Sequence, residues 1–359
     1  MAAHANEQVS ESIGHRVPGL STTREIDVML GGRSYSVVVG AGVRSRVTAI
    51  VNGLGARRVV VVSARPEDGL PELNVPTLRI NARDGEENKT LTNVDALCRQ
   101  FADFGLTRSD VVVACGGGTT TDTVGLAAAL YHRGIAVVHI PTSLLAQVDA
   151  SVGGKTAVNL PQGKNLVGAY WQPSAVLCDI DYLETLPERE WASGYGEIAR
   201  AHFIGTGDLR TVSLTEQIAR SVARKAEIVS LDEFDSGLRH TLNYGHTLGH
   251  ALEKATNFRL RHGEAVAIGT VFAGRLAGTL GRIDTARVTE HLDVVSSYGL
   301  QASLPAEVDI SELISLIGLD KKRRGSGLGF VLDGTSGVEL VEDIDASIVR
   351  AELESMPRA

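Results

Sequence analysis

Two kinds of pattern alternate along the first half of this chain. Residues 24–40 (REIDVMLGGRSYSVVVG) alternate apolar and polar positions about a Gly-Gly turn, which predicts a β-hairpin. RRVVVVSA (57–64) is a continuous β-branched run, as in a strand buried on both faces. A second such run, PTLRI, ends near Asn81. DGEENKTLTNVDALCRQFADFG begins polar and then takes helical periodicity. DVVVACGGGTTTDTVGLAAALYHRG reads as buried strand, Gly triplet and helix. IAVVHIPTSLLAQVDASVGGKT reads as another strand running into a polar loop. Strands alternating with helices predict a parallel α/β sheet.

From about residue 182 the pattern changes to helices with few strand signals. The chain is therefore expected to divide into a disordered N-terminal arm (1–22), an α/β domain (23–181) and a mostly α-helical domain (182–359). The arm lacks a basic stretch followed by an apolar core, so it does not read as a secretory signal. No apolar run reaches transmembrane length.

The helical half contains RHTLNYGHTLGHALEKATNFRLRHGE (239–264). His246 and His250 stand four apart and share one helical face, and Asn243 and Arg239 extend that face backwards by a turn each. His262 follows after a short loop. Two imidazoles so spaced suit one Zn²⁺ or Co²⁺, with a carboxylate from elsewhere and an open position for substrate. The spacing alone does not say which histidines are ligands, and two surface histidines on one helix would leave the same pattern.

Composition narrows the class. The net charge of −8 argues against non-specific nucleic-acid binding. Cys98, Cys115 and Cys178 are far apart and odd in number, which predicts reduced thiols and a cytoplasmic protein. Gly116, Gly117 and Gly118 sit between strand and helix, where backbone can approach a ligand and the helix N-terminus favours a phosphate. The order is not G-x-G-x-x-G, so the Rossmann fingerprint is absent. Asp122, in the first helical turn, could simply complement the dipole. DASVGGKTAVNLPQGKNLVG (149–168) carries Asp149, Lys155, Lys164 and Asn165 in a Gly-rich stretch, read here as a loop suited to phosphate or carboxylate. Glu197 and the basic DKKRRG cluster (320–325) would not stand out alone.

Taken together, GGGTTTD, VDASVGGKTAVNLPQGKNLVGAYWQP, DSGLRHTLNYGHTLGHALE, RHGEAVAIG and the late DKK resemble the dehydroquinate synthase family of sugar-phosphate cyclases. The resemblance covers roughly residues 25–350 and implies a Rossmann-like sheet in the first domain. It implies Glu197, His246 and His262 as metal ligands, with His250 instead a proton-transfer group beside the phosphate. Lys155, Asn165, Asn243 and one of Lys321 or Lys322 match phosphate and substrate contacts. Lys225 and Arg239 match a pair that grips the substrate carboxylate. Arg133 matches an arginine reaching the neighbouring subunit's site, which implies a homodimer. Glu86, Lys89, Gly116, Gly117, Gly118, Asp122, Thr142, Ser143, Asp149, Lys164 and Thr185 match the NAD-binding stretch. The implied chemistry is transient oxidation of a ring hydroxyl by NAD⁺, elimination of phosphate, re-reduction and an intramolecular aldol closure.

The chain departs from the usual pattern of that family. Arg200 stands where a lysine is usual, and Ser193 and Asp235 where Asn and Glu are usual. The stretch from Glu197 to Lys225 is short by more than a helix. These features look more like the aminodehydroquinate synthases, which act in making 3-amino-5-hydroxybenzoate, the starter unit of ansamycins. Lys155, Arg200, Asp235 and His250 are the residues expected to act in catalysis. The competing readings are an ordinary 3-dehydroquinate synthase, an iron-type NAD-dependent alcohol dehydrogenase, and an inactive regulatory homologue. Lys155, Asn165, Lys225 and Arg239 together argue against the second, and the intact Glu and His set against the third.

Overall fold

The computed structural model describes residues 23–65, 69–319 and 327–359. The arm (1–22), Lys321 and Lys322 lie outside the described residues. β1 (Arg24–Val28) and β2 (Tyr35–Gly40) form the expected hairpin, paired antiparallel with Gly31 and Gly32 in its turn. There follow α1 (Val47–Gly53), β3 (Val59–Ser63), β4 (Thr77–Asn81), α2 (Leu91–Asp103) and β5 (Val111–Gly116). Next come α3 (Gly118–Leu130), β6 (Ala136–Pro141), β7 (Lys155–Leu160), β8 (Gly163–Tyr170) and β9 (Ala175–Asp179). One seven-stranded sheet has the order β1-β2-β9-β6-β5-β3-β4, parallel except at the β1–β2 edge. Its inner strands β3, β5 and β9 are buried along their whole length, as their unbroken apolar runs require.

Strand order sets where a ligand can enter. From β3 the chain steps outward to β4 and then returns to β5 on the other side of β3. That reversal opens a crevice beyond the carboxyl ends of β3 and β5, the usual place for a dinucleotide in such a sheet. The Gly116–Gly118 triplet lies there, joining β5 to the N-terminus of α3.

Two expectations fail here. The 149–168 stretch is not an irregular loop: β7 and β8 pair antiparallel, with Val158 and Thr156 buried and Lys155 exposed. Its glycines and lysines mask the alternation that would have marked it. β9 was not anticipated either. Its run of apolar residues is short, and its pairing with β2 and β6 comes from far along the chain.

The sheet ends at Asp179 and the helical half begins with α4 (Glu188–Ala201). α5 (Leu214–Leu231), α6 (His246–Ala255), α7 (His262–Thr279), α8 (Thr285–Ser297) and α9 (Ile310–Leu319) follow. A small hairpin of β10 (Leu328–Leu332) and β11 (Glu339–Ile344) precedes α10 (Ala346–Glu354). α7 (HGEAVAIGTVFAGRLAGT) is apolar on nearly every face because α4, α6, α8 and α10 all pack on it. The two halves share a core: Val28, Val37, Val39 and Val176 of the sheet pack with Ile198 of α4 and Ile218, Val222 and Val229 of α5. Among the described residues no helix is long and apolar enough to cross a membrane.

Candidate active site

The helical half brings three ligand-type residues to one point. α4 and α7 cross with their backbones in contact. A side chain on Gly196 would strike the carbonyl of Gly263, and one on Gly263 would strike the carbonyl of Ser193. These glycines adjoin Glu197 and His262, so the close crossing sets those two side chains against each other. α6 delivers His246 as its first residue.

The result is compact. Ligand atoms of Glu197, His246 and His262 all lie within 4.8 Å of one another. Glu197 Oε1 is 3.1 Å from His262 Nε2 and 3.6 Å from His246 Nε2. That oxygen is buried and accepts no well-directed hydrogen bond. The far ring nitrogens are both held: His246 Nδ1 is 3.1 Å from the Tyr244 carbonyl, and His262 Nδ1 is 3.2 Å from Glu253 Oε2. A carbonyl accepts only, so His246 Nδ1 carries the proton and Nε2 presents its lone pair to the cluster.

Burial opposes charge on all three groups, and contacts decide the outcome. For His246 burial outweighs Glu197, and its pKa falls to about 3. For His262 the contacts with Glu197 and Glu253 outweigh burial and lift it to about 10. Glu197 is held well below the carboxylate range because Arg200, His246 and His262 together outweigh its burial. A divalent cation fits this donor set. It would face one buried unbonded carboxylate oxygen and two oriented imidazole nitrogens, and it would displace a proton as it bound.

A second grouping, His250, Glu253 and His262, is geometrically close. Its Glu253 is already taken, by His262 Nδ1 and by the Lys164 ammonium at 3.0 Å. His250 is exposed on α6, its ring 5.3 Å from that of His246 and 5.8 Å from that of His262. It flanks the cluster rather than completing it.

The expected single helical face through Arg239, Asn243, His246 and His250 is broken. Residues Leu238–Asn243 form a tight 3₁₀ segment, Tyr244 is extended in ψ, and Gly245 takes a left-handed conformation at φ 78°. Gly245 lies against α7 where no side chain fits, so the chain must turn there. Asn243 is exposed before the break. Arg239 is buried, with Nη1 donating to the Glu233 carbonyl (2.6 Å) and Nη2 to the Gly153 carbonyl (2.8 Å). Its Nε has no hydrogen-bond partner.

Arg200 lies beneath the cluster, 3% exposed. Its Nε donates to Glu197 Oε2 at 2.5 Å, Nη1 to the Leu242 carbonyl at 2.7 Å, and Nη2 to Asp149 Oδ1 at 3.4 Å. Asp149, carried by a π-helical turn at Ala146–Ala150, also holds Lys225 Nζ at 2.8 Å. Lys155 Nζ pairs with Asp235 Oδ2 at 2.5 Å. The two residues are 80 apart in sequence, and both were singled out as catalytic candidates.

The cofactor candidates gather at the carboxyl ends of the strands: Glu86 and Lys89 after β4, the glycine triplet after β5, Thr142 and Ser143 after β6, and Thr185 after β9. Asp122 does more than complement a helix dipole, because it pairs with Lys89 Nζ at 2.5 Å. That lysine also donates to Asn165 Oδ1 at 2.6 Å. Asn159 Nδ2 donates to Glu86 Oε1 at 2.7 Å, and Arg65 Nη2 to Thr185 Oγ1 at 2.7 Å. Arg133 is exposed past the far end of α3, a helix of 13 residues and so about 20 Å from the glycine end. It therefore stands away from the glycine crevice of its own protomer. Glu253 went unnoticed in the sequence, although it stands one turn after His250 on the same helix.

Two family models match this chain. "3-dehydroquinate synthase N-terminal" matches residues 79–193 and "3-dehydroquinate synthase C-terminal" matches residues 196–323. The chain belongs to the 3-dehydroquinate synthase family. It is an enzyme, a phosphorus–oxygen lyase of the sugar-phosphate cyclase kind. A protein of Amycolatopsis mediterranei (strain S699), provisionally named aminodehydroquinate synthase, is 68% identical over 93% of this chain and 95% of its own length. The 3-dehydroquinate synthase of Corynebacterium jeikeium (strain K411) is 40% identical over 83% of this chain and 87% of its own. A crystal structure of 2-deoxy-scyllo-inosose synthase, complexed with carbaglucose-6-phosphate, NAD⁺ and Co²⁺, superposes with a TM-score of 0.83 at 26% identity. That match covers 93% of this chain and 100% of the other.

Proposed function

We propose that this enzyme cyclises 4-amino-3,4-dideoxy-heptulosonate 7-phosphate (aminoDAHP) to 5-amino-5-deoxy-3-dehydroquinate, releasing phosphate, in the route to 3-amino-5-hydroxybenzoate. The observation that carries this reading is the step from 68% identity with the aminodehydroquinate synthase relative to 40% with a 3-dehydroquinate synthase. Bound Zn²⁺ or Co²⁺ would supply polarisation of the substrate's ring substituents, and bound NAD⁺ a reversible hydride acceptor.

Glu197, His246 and His262 are the residues to hold the metal. The crevice at Gly116–Gly118, with Glu86, Lys89, Asp122, Thr142, Ser143, Asp149, Lys164 and Thr185, is the place for the dinucleotide. His250, exposed beside the cluster, is the candidate to hold a proton near the leaving phosphate. Lys155, Asn165 and Asn243 are the candidates to contact the phosphate and substrate, as is one lysine of the pair Lys321 and Lys322, which lies outside the described residues. Asp235 holds Lys155 in place by its ion pair. Lys225 and the unpaired Nε of Arg239 offer buried cationic donors for the substrate carboxylate. Arg200 acts through Glu197: its nitrogens are committed to protein acceptors, so it shapes the wall of the site and transfers no proton. Arg133 would serve a neighbouring subunit in a cytoplasmic homodimer.

The test is kcat/KM for the amino and hydroxy heptulosonate phosphates under one metal and one pH, followed by phosphate release. Preference for the amino substrate is expected. Preference for the hydroxy substrate, with rescue of a strain lacking the shikimate-pathway cyclase, would make the chain a 3-dehydroquinate synthase.

A further inference from the structure

A second buried polar cluster lies in the helical core and is joined to His246 through Tyr244. His291 of α8 is fully buried in the helical core, its ring stacked on Phe203 at 3.8 Å. Its space is reserved by sequence: a side chain on Gly274 of α7 would overlap the imidazole. His291 Nδ1 is 2.7 Å from the Arg287 carbonyl, an acceptor, so Nδ1 carries the proton and Nε2 accepts. The partner of Nε2 is the hydroxyl of Tyr244, 2.6 Å away and also fully buried. The charged groups around this pair are already matched with each other. Asp333 Oδ2 accepts from Arg287 Nε at 2.7 Å and stands 3.9 Å from His291 Nε2. Arg287 Nη1 reaches Glu290 at 2.8 Å, and Glu290 reaches His202 at 2.9 Å.

A Tyr–His hydrogen bond in an apolar core needs a reason, because Phe and Leu would fill the space with no polar group to satisfy. The backbone of Tyr244 supplies the reason. Its carbonyl is the acceptor for His246 Nδ1. Tyr244 N–H closes the 3₁₀ segment on the Thr241 carbonyl and α6 begins only at His246, so the Tyr244 carbonyl lies in the break between the two helical segments. Pinning the Tyr244 side chain at its hydroxyl fixes the residue at both ends, and so fixes the direction of the carbonyl.

We propose that Tyr244 and His291 are positioning residues for the metal site: their hydrogen bond aims the Tyr244 carbonyl at His246 and thereby sets the tautomer and ring angle of that ligand. The inference rests on the reading of His246 as a ligand given above. Partners behind a ligating histidine commonly govern affinity by about 10- to 100-fold. One link further back, loss of the hydroxyl is expected to weaken metal binding by about tenfold.

The experiment titrates Co²⁺ alone into the full-length protein, read by calorimetry and by the visible absorption of the bound ion. The proteins are wild type, Tyr244→Phe, His291→Leu, His291→Gln and His246→Ala, all measured well below their melting temperatures with chelated protein as reference. Tyr244→Phe and His291→Leu should bind Co²⁺ about tenfold more weakly with an altered absorption band. His291→Gln, which can still accept from the tyrosine, should recover most of the affinity. A merely structural role would lower the melting temperature of the chelated protein and leave the Co²⁺ dissociation constant and band unchanged. That outcome for Tyr244→Phe overturns the proposal, as does equal weakening in His291→Gln and His291→Leu. Wild-type affinity in His246→Ala would instead overturn the ligand assignment itself, which keeps the two failures apart.

Discussion

Replacing Arg200 with methionine removes the buried cation under the proposed metal ligands while keeping most of the side chain's volume. Arg200 and Glu197 side chains are 4% and 1% exposed, so neither charge can turn to solvent. The variant strands Glu197 Oε2, leaves the Leu242 carbonyl without its side-chain donor, and takes one cation from Asp149. Asp149 keeps Lys225 and the Leu242 carbonyl is a neutral group, so most of the cost falls on Glu197. Breaking a buried ion pair by deleting one partner costs about 3–5 kcal/mol. At about 2 °C per kcal/mol for a chain of this size, melting should fall by roughly 6–10 °C in chelator at pH 7. The pH dependence fixes the cause. In the wild type, the depressed Glu197 pKa contributes stability above its ordinary value of 4.5 and loses it as pH falls through the folded value. In the variant Glu197 protonates more readily, so the difference between the two proteins should narrow as pH drops from 7 towards 4. Scanning calorimetry at several pH values measures both. A loss under about 2 °C, or one that does not change with pH, would refute the idea that Arg200 serves Glu197.

Other expectations follow from the same geometry. His246→Ala should lose bound metal and activity yet still bind NAD⁺, as read by elemental analysis and cofactor titration; full metal content would remove it from the ligand set. Glu253→Gln, which weakens the acceptor behind His262, should lower metal affinity by about 10- to 100-fold, measured by competition with a chelating dye. Sedoheptulose 7-phosphate and glucose 6-phosphate should not turn over, because neither offers a carboxylate to the buried Lys225 and Arg239; efficient cyclisation of either, seen as phosphate release, would break that assignment.

The strands at Val59–Ser63 and Val111–Gly116 could be read directly, because a strand buried on both faces must be apolar throughout and the run is local. The hairpin at 24–40 was legible for the same reason, since alternation and a Gly-Gly turn lie within one short window. The chemical vocabulary of the site was local too: His246 and His262 in one stretch, the glycine triplet in another. What spacing and periodicity could not decide, and only the family resemblance suggested, was which groups meet. Glu197 joins the histidines because α4 and α7 touch at Gly196 and Gly263. Glu253 becomes the support for His262 because Lys164, 89 residues earlier, neutralises its other oxygen. Arg200 could be seen as an unusual residue, but its three acceptors come from α4, the π-helical turn and the segment before α6. The break at Tyr244–Gly245 overrode a good helical period because α7 occupies the space a continuous helix would need. Periodicity reports how each segment meets the core as a whole, and it carries no information on pairwise distances between segments. Those distances set the direction in which Glu197, His246 and His262 are shifted, and so they belonged to the tertiary structure alone.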